Sequence, residues 1–483
     1  MRGPNVTYKF LCMAALLWIA PAAHAQDPVT LTGDASFAKN EEIRLLVYDD
    51  LLNNIPKVAA TGKIDHNGHF KLTYQTNKIR PVQLAIRTTK ADFFVAPYNE
   101  YHFHITTDTA LFGMISPEKY GGFLQITTDR TDTADLNYKI NRFTRYFDLV
   151  MGYYGFRLTY DRDINAYDTV MRLLDERFPN QYDPDNYYSS YVYYTRGLVD
   201  KLCMPKEQSR LYDRYFNHDE VLYDNPAYMI LFNNVYSNYL YNSKYISKDL
   251  LTRTINEAPD YLALFNEAGR DPMLVNERLR ELVIIRNLID FYDNEEFDRG
   301  NIIRLLKYIR ASSHFPEHVT YAGNAVELLT PSPEVDCNIT LKNEKGKKMD
   351  FREFEGKDIY LQIFQSDCVD CIREMLILKE LNKRYGDKIQ FVSLNVDMDK
   401  VDYERFCKQY KGMFDWPVLY FNGNYDWLML QGVETLPDYL IVNSAGQVLL
   451  RNAPAPDYGL SDYLLRRYPP SEEPEENPLF RNR

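Results

Sequence analysis

Of the six cysteines in this 483-residue chain, two stand close enough to work together: Cys368 and Cys371, in the stretch FQSDCVDCIREM at 364–375. A dithiol at this spacing can open and close as a redox couple, supply half of a zinc site, or persist as a structural bridge. Zinc needs about four ligands. The nearest other cysteine is Cys407 and no histidine follows His318, so a local zinc site would be incomplete. Cys407 sits in YERFCKQY, where burial on a helix accounts for it.

The surrounding pattern says what positions the pair. Apolar runs at 359–364, 389–395, 417–421 and 439–442 read as strands, and a helical stripe runs from Cys371 to about Tyr385. Strands alternating with helices imply a βαβ unit with a parallel core, and a hairpin at 443–446 adds antiparallel pairing. The dithiol therefore follows a strand and opens a helix. Four backbone N–H groups there lack intrahelical partners and carry partial positive charge, which stabilises a thiolate. Cys368 is expected to be the exposed attacking thiol. Cys371, one turn in, is expected to be the covered resolving one.

Residues 335–467, little more than a quarter of the chain, resemble the TlpA/ResA-type thioredoxin-like proteins of the bacterial envelope. The resemblance rests on DFREFEGKDIYLQIFQSDCVDCIREM, on IQFVSLNVD and on GVETLPDYLIVNSAGQVL, in that order. It implies a cis bond before Pro437 facing the dithiol, with the backbone of Leu436 offered to an incoming peptide. It also implies a proton-handling role for Glu374, against which stands the plainer reading of an exposed helix carboxylate. A peroxidase of the peroxiredoxin kind would need a threonine-containing run before its cysteine, which FQSDC lacks.

Four positions depart from the family pattern: Asp367 replaces a tryptophan, Asp370 a proline, Gln362 a buried carboxylate or asparagine, and Leu376 a proline. Carboxylates at 367 and 370 compete with a thiolate for the positive helix end, so they favour the disulfide and a reducing couple. The expected function is an exported disulfide reductase or isomerase, without cofactor or metal. Its partners would be cysteine-containing envelope proteins and a redox partner that recycles the dithiol. The rival reading is a non-enzymatic envelope binding or scaffold protein with a structural disulfide.

The rest of the chain reads as further units, giving a multidomain α+β protein. Residues 1–25 have a basic front, an apolar run and Ala23-His24-Ala25, the pattern of a signal peptide. The resemblance puts the exported chain in the periplasm, with outright secretion as the alternative. No run reaches the roughly 18 apolar residues of a spanning helix. Without Arg2 and Lys9 the formal charge moves from −12 to −14, which argues against nucleic acid. Period-two alternation over 26–115 predicts a small antiparallel β-sandwich. Helical stripes over 130–330 predict an all-α segment, including a helix capped by Asp271-Pro272, one over 227–241 and a loop at HFPEH, 314–318. A Thr330-Pro331-Ser332-Pro333 linker then leads to the thioredoxin-like α/β domain at 335–468, and 469–483 form a disordered acidic tail.

His102 and His104 share one strand face and could hold a metal, though a solvated face is the simpler reading; His66 and His69 are discounted likewise. The tyrosines of YYSSYVYYTR, 187–196, read as packing between helices, with a ligand surface as the alternative.

Overall fold

The computed structural model describes residues 28–469, save 109–122, 129–132, 205–207, 331–339, 422–426, 429–430, 444–446 and isolated positions between them. The expected leader, the proline linker after Thr330, Cys337, the hairpin turn at 444–446 and the acidic tail after 469 lie outside the described residues.

Eight strands come first among the described residues: β1 (Val29–Asp34), β2 (Glu42–Tyr48), β3 (Pro56–Lys63), β4 (His69–Tyr74), β5 (Arg80–Ile86), β6 (Thr89–Val95), β7 (Glu100–Thr106) and β8 (Gln125–Thr128). They form two four-stranded sheets, ordered β4-β1-β7-β8 and β3-β2-β5-β6. Alternation sends Phe70, Leu72, Val82, Leu84, Phe103 and Ile105 from both sheets into one core. Strand pairing continues past residue 115 to Thr128.

The first sheet corrects one expectation, because it is not wholly antiparallel: β1 runs parallel to β7. Parallel neighbours need a long connection, and here all of β2–β6 intervenes between them. The two strands meet closely at Gly33, where a Cβ would lie 2.1 Å from the Phe103 carbonyl oxygen.

Eleven helices follow among the described residues, from α1 (Leu136–Phe156) through α2 (Ile164–Arg177), α3 (Tyr187–Cys203), α4 (Gln208–Tyr215), α5 (Pro226–Tyr236), α6 (Tyr239–Asn242), α7 (Lys248–Asn256), α8 (Tyr261–Ala268), α9 (Glu277–Tyr292) and α10 (Arg299–Ser312) to α11 (Pro316–Leu329). Their starts are written in the sequence: Asp135, Asp163, Asn186, Asn225, Ser247, Asp260 and Asp298 each accept a backbone N–H of the first turn. Three local expectations fail. Asp271 caps only a short 3₁₀ turn, Pro272–Leu274, and the long helix starts at Glu277. The stripe at 227–241 breaks because Asn238 takes a left-handed conformation, φ 50°. HFPEH is not a loop: Pro316 occupies the first turn of α11, where its missing N–H costs nothing, and His318 is fully buried. The tyrosines of α3 pack as expected, with Tyr194 edge-on to Tyr228 at 4.8 Å.

The sheets and helices are clamped together. Leu51 and Leu52, after β2, belong to the helical core. Beside them the fully buried Asp50 accepts a hydrogen bond from Asn324 Nδ2 at 3.0 Å.

The last part contains β9 (Leu341–Lys342), β10 (Lys348–Met349), β11 (Asp358–Phe364), α12 (Val369–Tyr385), β12 (Ile389–Asn395), α13 (Lys400–Gln409), β13 (Val418–Tyr420), β14 (Asp438–Val442), β15 (Val448–Leu450) and α14 (Leu460–Arg467). Its sheet runs β10-β9-β13-β12-β11-β14-β15, with β11, β12 and β13 parallel and β14 antiparallel to β11. Buried on both faces, β11 is apolar from Ile359 to Phe364 except at Gln362. No helix among the described residues is long and apolar enough to cross a membrane.

Candidate active site

The central strand β11 ends at Phe364, and Gln365–Asp367 turn the chain into α12. Ser366 fixes that turn. Its N–H donates to Asp397 Oδ1 at 2.9 Å, its hydroxyl donates to Asp397 Oδ2, and Asn395 Nδ2 reaches both Ser366 Oγ and Asp397 Oδ2 at 3.1 and 3.0 Å. Burial pushes the Asp397 carboxyl up, against the pull of the Ser366 bonds.

Cys368 is the N-cap of α12, and its Sγ accepts the Cys371 N–H at 3.1 Å. The two cysteines are joined as a disulfide, with Cα atoms 5.2 Å apart. Cys371 is fully buried, while Cys368 is half-buried and reaches the surface. Val369, between them, is 78% exposed, so the outer side of the pair is open.

The inner side is held by a polar chain the apolar strand would not suggest. Gln362 Nε2 donates to the Cys371 carbonyl at 3.2 Å, and Ser393 Oγ donates to Gln362 Oε1 at 2.9 Å. Trp416 Nε1 donates in turn to Ser393 Oγ at 2.9 Å. Gln362 and Ser393 are fully buried, so each bond removes a donor or acceptor that would otherwise be orphaned.

Glu374 lies three residues after Cys371 on the same helix face and is 5% exposed. The plainer reading of an exposed carboxylate therefore fails. Its Oε2 has no hydrogen-bond partner among the described residues, and its Oε1 is 3.9 Å from Arg373 Nη2. Burial first, then the negative charge of Asp457, push its carboxyl up to about 7, with Arg373 opposing and Asp370 adding to the rise. Arg373 itself spans Asp370 at 2.9 Å and Asp457 at 3.4 Å. One of the two carboxylates expected to crowd the thiolate is thus already paired.

The peptide bond Leu436–Pro437 is cis. Because Asp438 pairs with Ile363, this bond lies beside the end of β11 from which the chain turns to Cys368. Leu436 is partly buried and packs on the cluster that holds Cys371, Met375 and Leu378. Elsewhere, Cys407 is half-buried on α13 and Cys203 is buried on α3. Three groups escape the sequence reading: Arg373, Asp457 in the loop before α14, and the Ser366–Asn395–Asp397 set. Asn395 ends β12 and Asp397 lies two residues beyond it, and these two short polar side chains at a strand end were the available signal.

Residues 329–463 match the Redoxin family model. The chain is 28% identical over 113 residues to the thiol-disulfide oxidoreductase ResA of Bacillus thuringiensis subsp. konkukian, covering 23% of this chain and 64% of that protein. It is 25% identical over 122 residues to ResA of Halalkalibacterium halodurans, covering 25% and 68%. The chain thus spans just under two thirds of the first of these relatives. Among solved structures, a thiol-disulfide oxidoreductase from Bacteroides fragilis is 23% identical, with 26% of this chain and 95% of that one covered and a TM-score of 0.24. The family match falls on the unit whose β-α-β core carries the dithiol. The C-terminal region is a Redoxin domain, a thioredoxin fold of the TlpA/ResA type.

Proposed function

We propose that this protein is an exported thiol-disulfide oxidoreductase of the reductase or isomerase type, acting on cysteines of envelope proteins. The observation that carries this reading is a half-buried Cys368 capping a helix over a fully buried Cys371, with a protonatable Glu374 one turn further on. In the reduced enzyme the Cys368 thiolate attacks one sulfur of a substrate disulfide, forms a mixed disulfide and expels the other sulfur as a thiolate. The Cys371 thiol gives up its proton, for which Glu374 is the nearby acceptor, and attacks Cys368 Sγ. The internal bridge closes and the second substrate sulfur leaves, so two electrons have passed to the substrate. An envelope dithiol partner must then return two electrons. Pro437 and the backbone of Leu436, beside the β11 end, are the proposed rest for the substrate strand.

The remaining units fit a positioning role in this proposal. They are a two-sheet β-sandwich from 26 to about 115, with β8 added, and a helical segment at 130–330, both after a leader at 1–25. The catalytic domain follows at 335–468 and an acidic tail at 469–483. A signal-like start and the ResA resemblance support a periplasmic address.

Two thiols should become alkylatable on mild reduction of the full chain and disappear on reoxidation. Cys371→Ser should accumulate mixed disulfides through Cys368, and Cys368→Ser should accumulate none. A bridge that resists mild reduction, together with a Cys371→Ser protein that traps nothing, would establish a structural disulfide instead.

A further inference from the structure

The outer face of the β4-β1-β7 sheet gathers three of the eight histidines around one carboxylate. Register does the gathering. Asp34 on β1 stands opposite His69 on β4 and opposite His104 on β7, and Thr32 stands opposite His102. Period-two alternation sends Phe103 and Ile105 into the core and leaves His102 and His104 together outside, their rings 5.4 Å apart and nearly perpendicular. The close approach of β1 to β7 at Gly33 brings Asp34 alongside them.

From this arrangement the geometry points to a divalent transition-metal site, with zinc as the ion, formed by Asp34, His102 and His104. The ligand atoms of the three all lie within 4.8 Å of one another. His104 Nδ1 is 3.2 Å and His102 Nε2 3.7 Å from Asp34 Oδ2. Ligands about 2.0–2.1 Å from a tetrahedral zinc are separated by about 3.3 Å, so small side-chain rotations bring all three onto one ion.

The surroundings fit. The Thr32 hydroxyl donates to the Tyr101 carbonyl at 3.2 Å, so its oxygen accepts from His102 Nδ1–H at 3.0 Å. That leaves the His102 Nε2 lone pair aimed at Asp34, the tautomer a metal requires. His69 Nδ1 meets the other carboxylate oxygen, Oδ1, and orients it from outside. The side chains of Asp34, His102 and His104 are 34%, 46% and 45% exposed, leaving room for water as the fourth ligand. A strand face chosen only for solvation would not need a common focus for three imidazoles.

The test uses the full chain without a histidine tag and with the dithiol oxidised, so that cysteine pairs cannot chelate. Calorimetric titration with zinc should show one saturable equivalent. His102→Gln, His104→Gln and Asp34→Asn should each weaken it at least about tenfold, and His69→Gln about tenfold or less. His66→Gln, on the neighbouring exposed turn, should leave it unchanged. In the unmodified protein, zinc should also protect His102 and His104 from diethylpyrocarbonate, read by mass spectrometry, which keeps the test independent of any variant's folding. Absence of saturable uptake, or uptake that survives the His102 and His104 substitutions, overturns the site and leaves a cluster of imidazole–carboxylate contacts. Lack of protection of those two histidines overturns it equally.

Discussion

Two glutamates are buried on helices to nearly the same depth, Glu281 at 4% and Glu374 at 5% exposure, and their surroundings treat them oppositely. Burial alone would raise the Glu281 carboxyl. Instead hydrogen bonds from His318 at 2.8 Å, from the Ser313 hydroxyl and from the Tyr261 hydroxyl outweigh it and hold the group low. His318 joins both neighbours, with Nδ1 2.8 Å from Glu281 Oε1 and Nε2 2.7 Å from the Tyr223 hydroxyl. Glu374 has one oxygen without a hydrogen-bond partner among the described residues and is pushed up to about 7. A buried carboxylate with both oxygens hydrogen-bonded is part of the scaffold. One left unsatisfied beside a dithiol is, in the function proposed above, the group that takes and returns a proton.

The largest effect that could break this comparison is on rate. If Glu374 handles the Cys371 proton, Glu374→Gln should slow disulfide exchange by roughly 10²-fold at pH 7. Stability at that pH should hold or rise, because a buried charge is removed. Loss of stability without loss of rate would make Glu374 a structural residue. Glu281→Ala should do the reverse, costing about 3 kcal/mol in urea denaturation while the domain at 335–468 keeps its exchange rate. Removing the carboxylate orphans the groups that point at it.

Acid titration sharpens the same contrast, and the signs differ. Glu281 has a lowered folded pKa, so its stabilisation is present above the ordinary value of 4.5 and fades as pH falls through the folded value. Glu374 has a raised one, so the folded state gains from its protonated form below 4.5, and that gain is lost as pH climbs from 4.5 to about 7. Denaturation midpoints should therefore slope downward over that window in the unsubstituted protein, and less so in Glu374→Gln. Equal slopes would mean the carboxylate ionises in the folded protein as it does in the unfolded one.

The two sites also differ in how far the sequence exposed them. Cys368, Cys371 and the strand–helix setting were legible because period, spacing and helix-end electrostatics are local properties. Glu374 was visible as a position but not as a buried one, since helical spacing says which face a residue shares and not what covers it. The Glu281–His318 network was invisible: Pro316 argued for a loop, and only tertiary packing brings residues 37 positions apart into contact. The Asp34 cluster failed for a related reason. His102 and His104 announced themselves by alternation, but their partner came from a parallel pairing with β1, which no hairpin pattern foretells.

The smallest expected effect tests why Glu374 sits near 7. Asp457 is the second cause of that rise after burial, and its side chain is 42% exposed, so its field is open to screening. Asp457→Asn removes the repulsion and also frees Arg373, which now bridges Asp457 and Asp370, to lean on Glu374. Both changes favour the ionised form. The midpoint of the Glu374-dependent arm of the pH–rate profile should therefore move down, by roughly half a unit at low salt. At about 1 M salt, where the screening length falls to roughly 3 Å, the variant and the unsubstituted protein should titrate together. A midpoint that does not move at low salt would assign the whole rise to burial, making the orphaned oxygen alone the device that sets this carboxylate apart from Glu281.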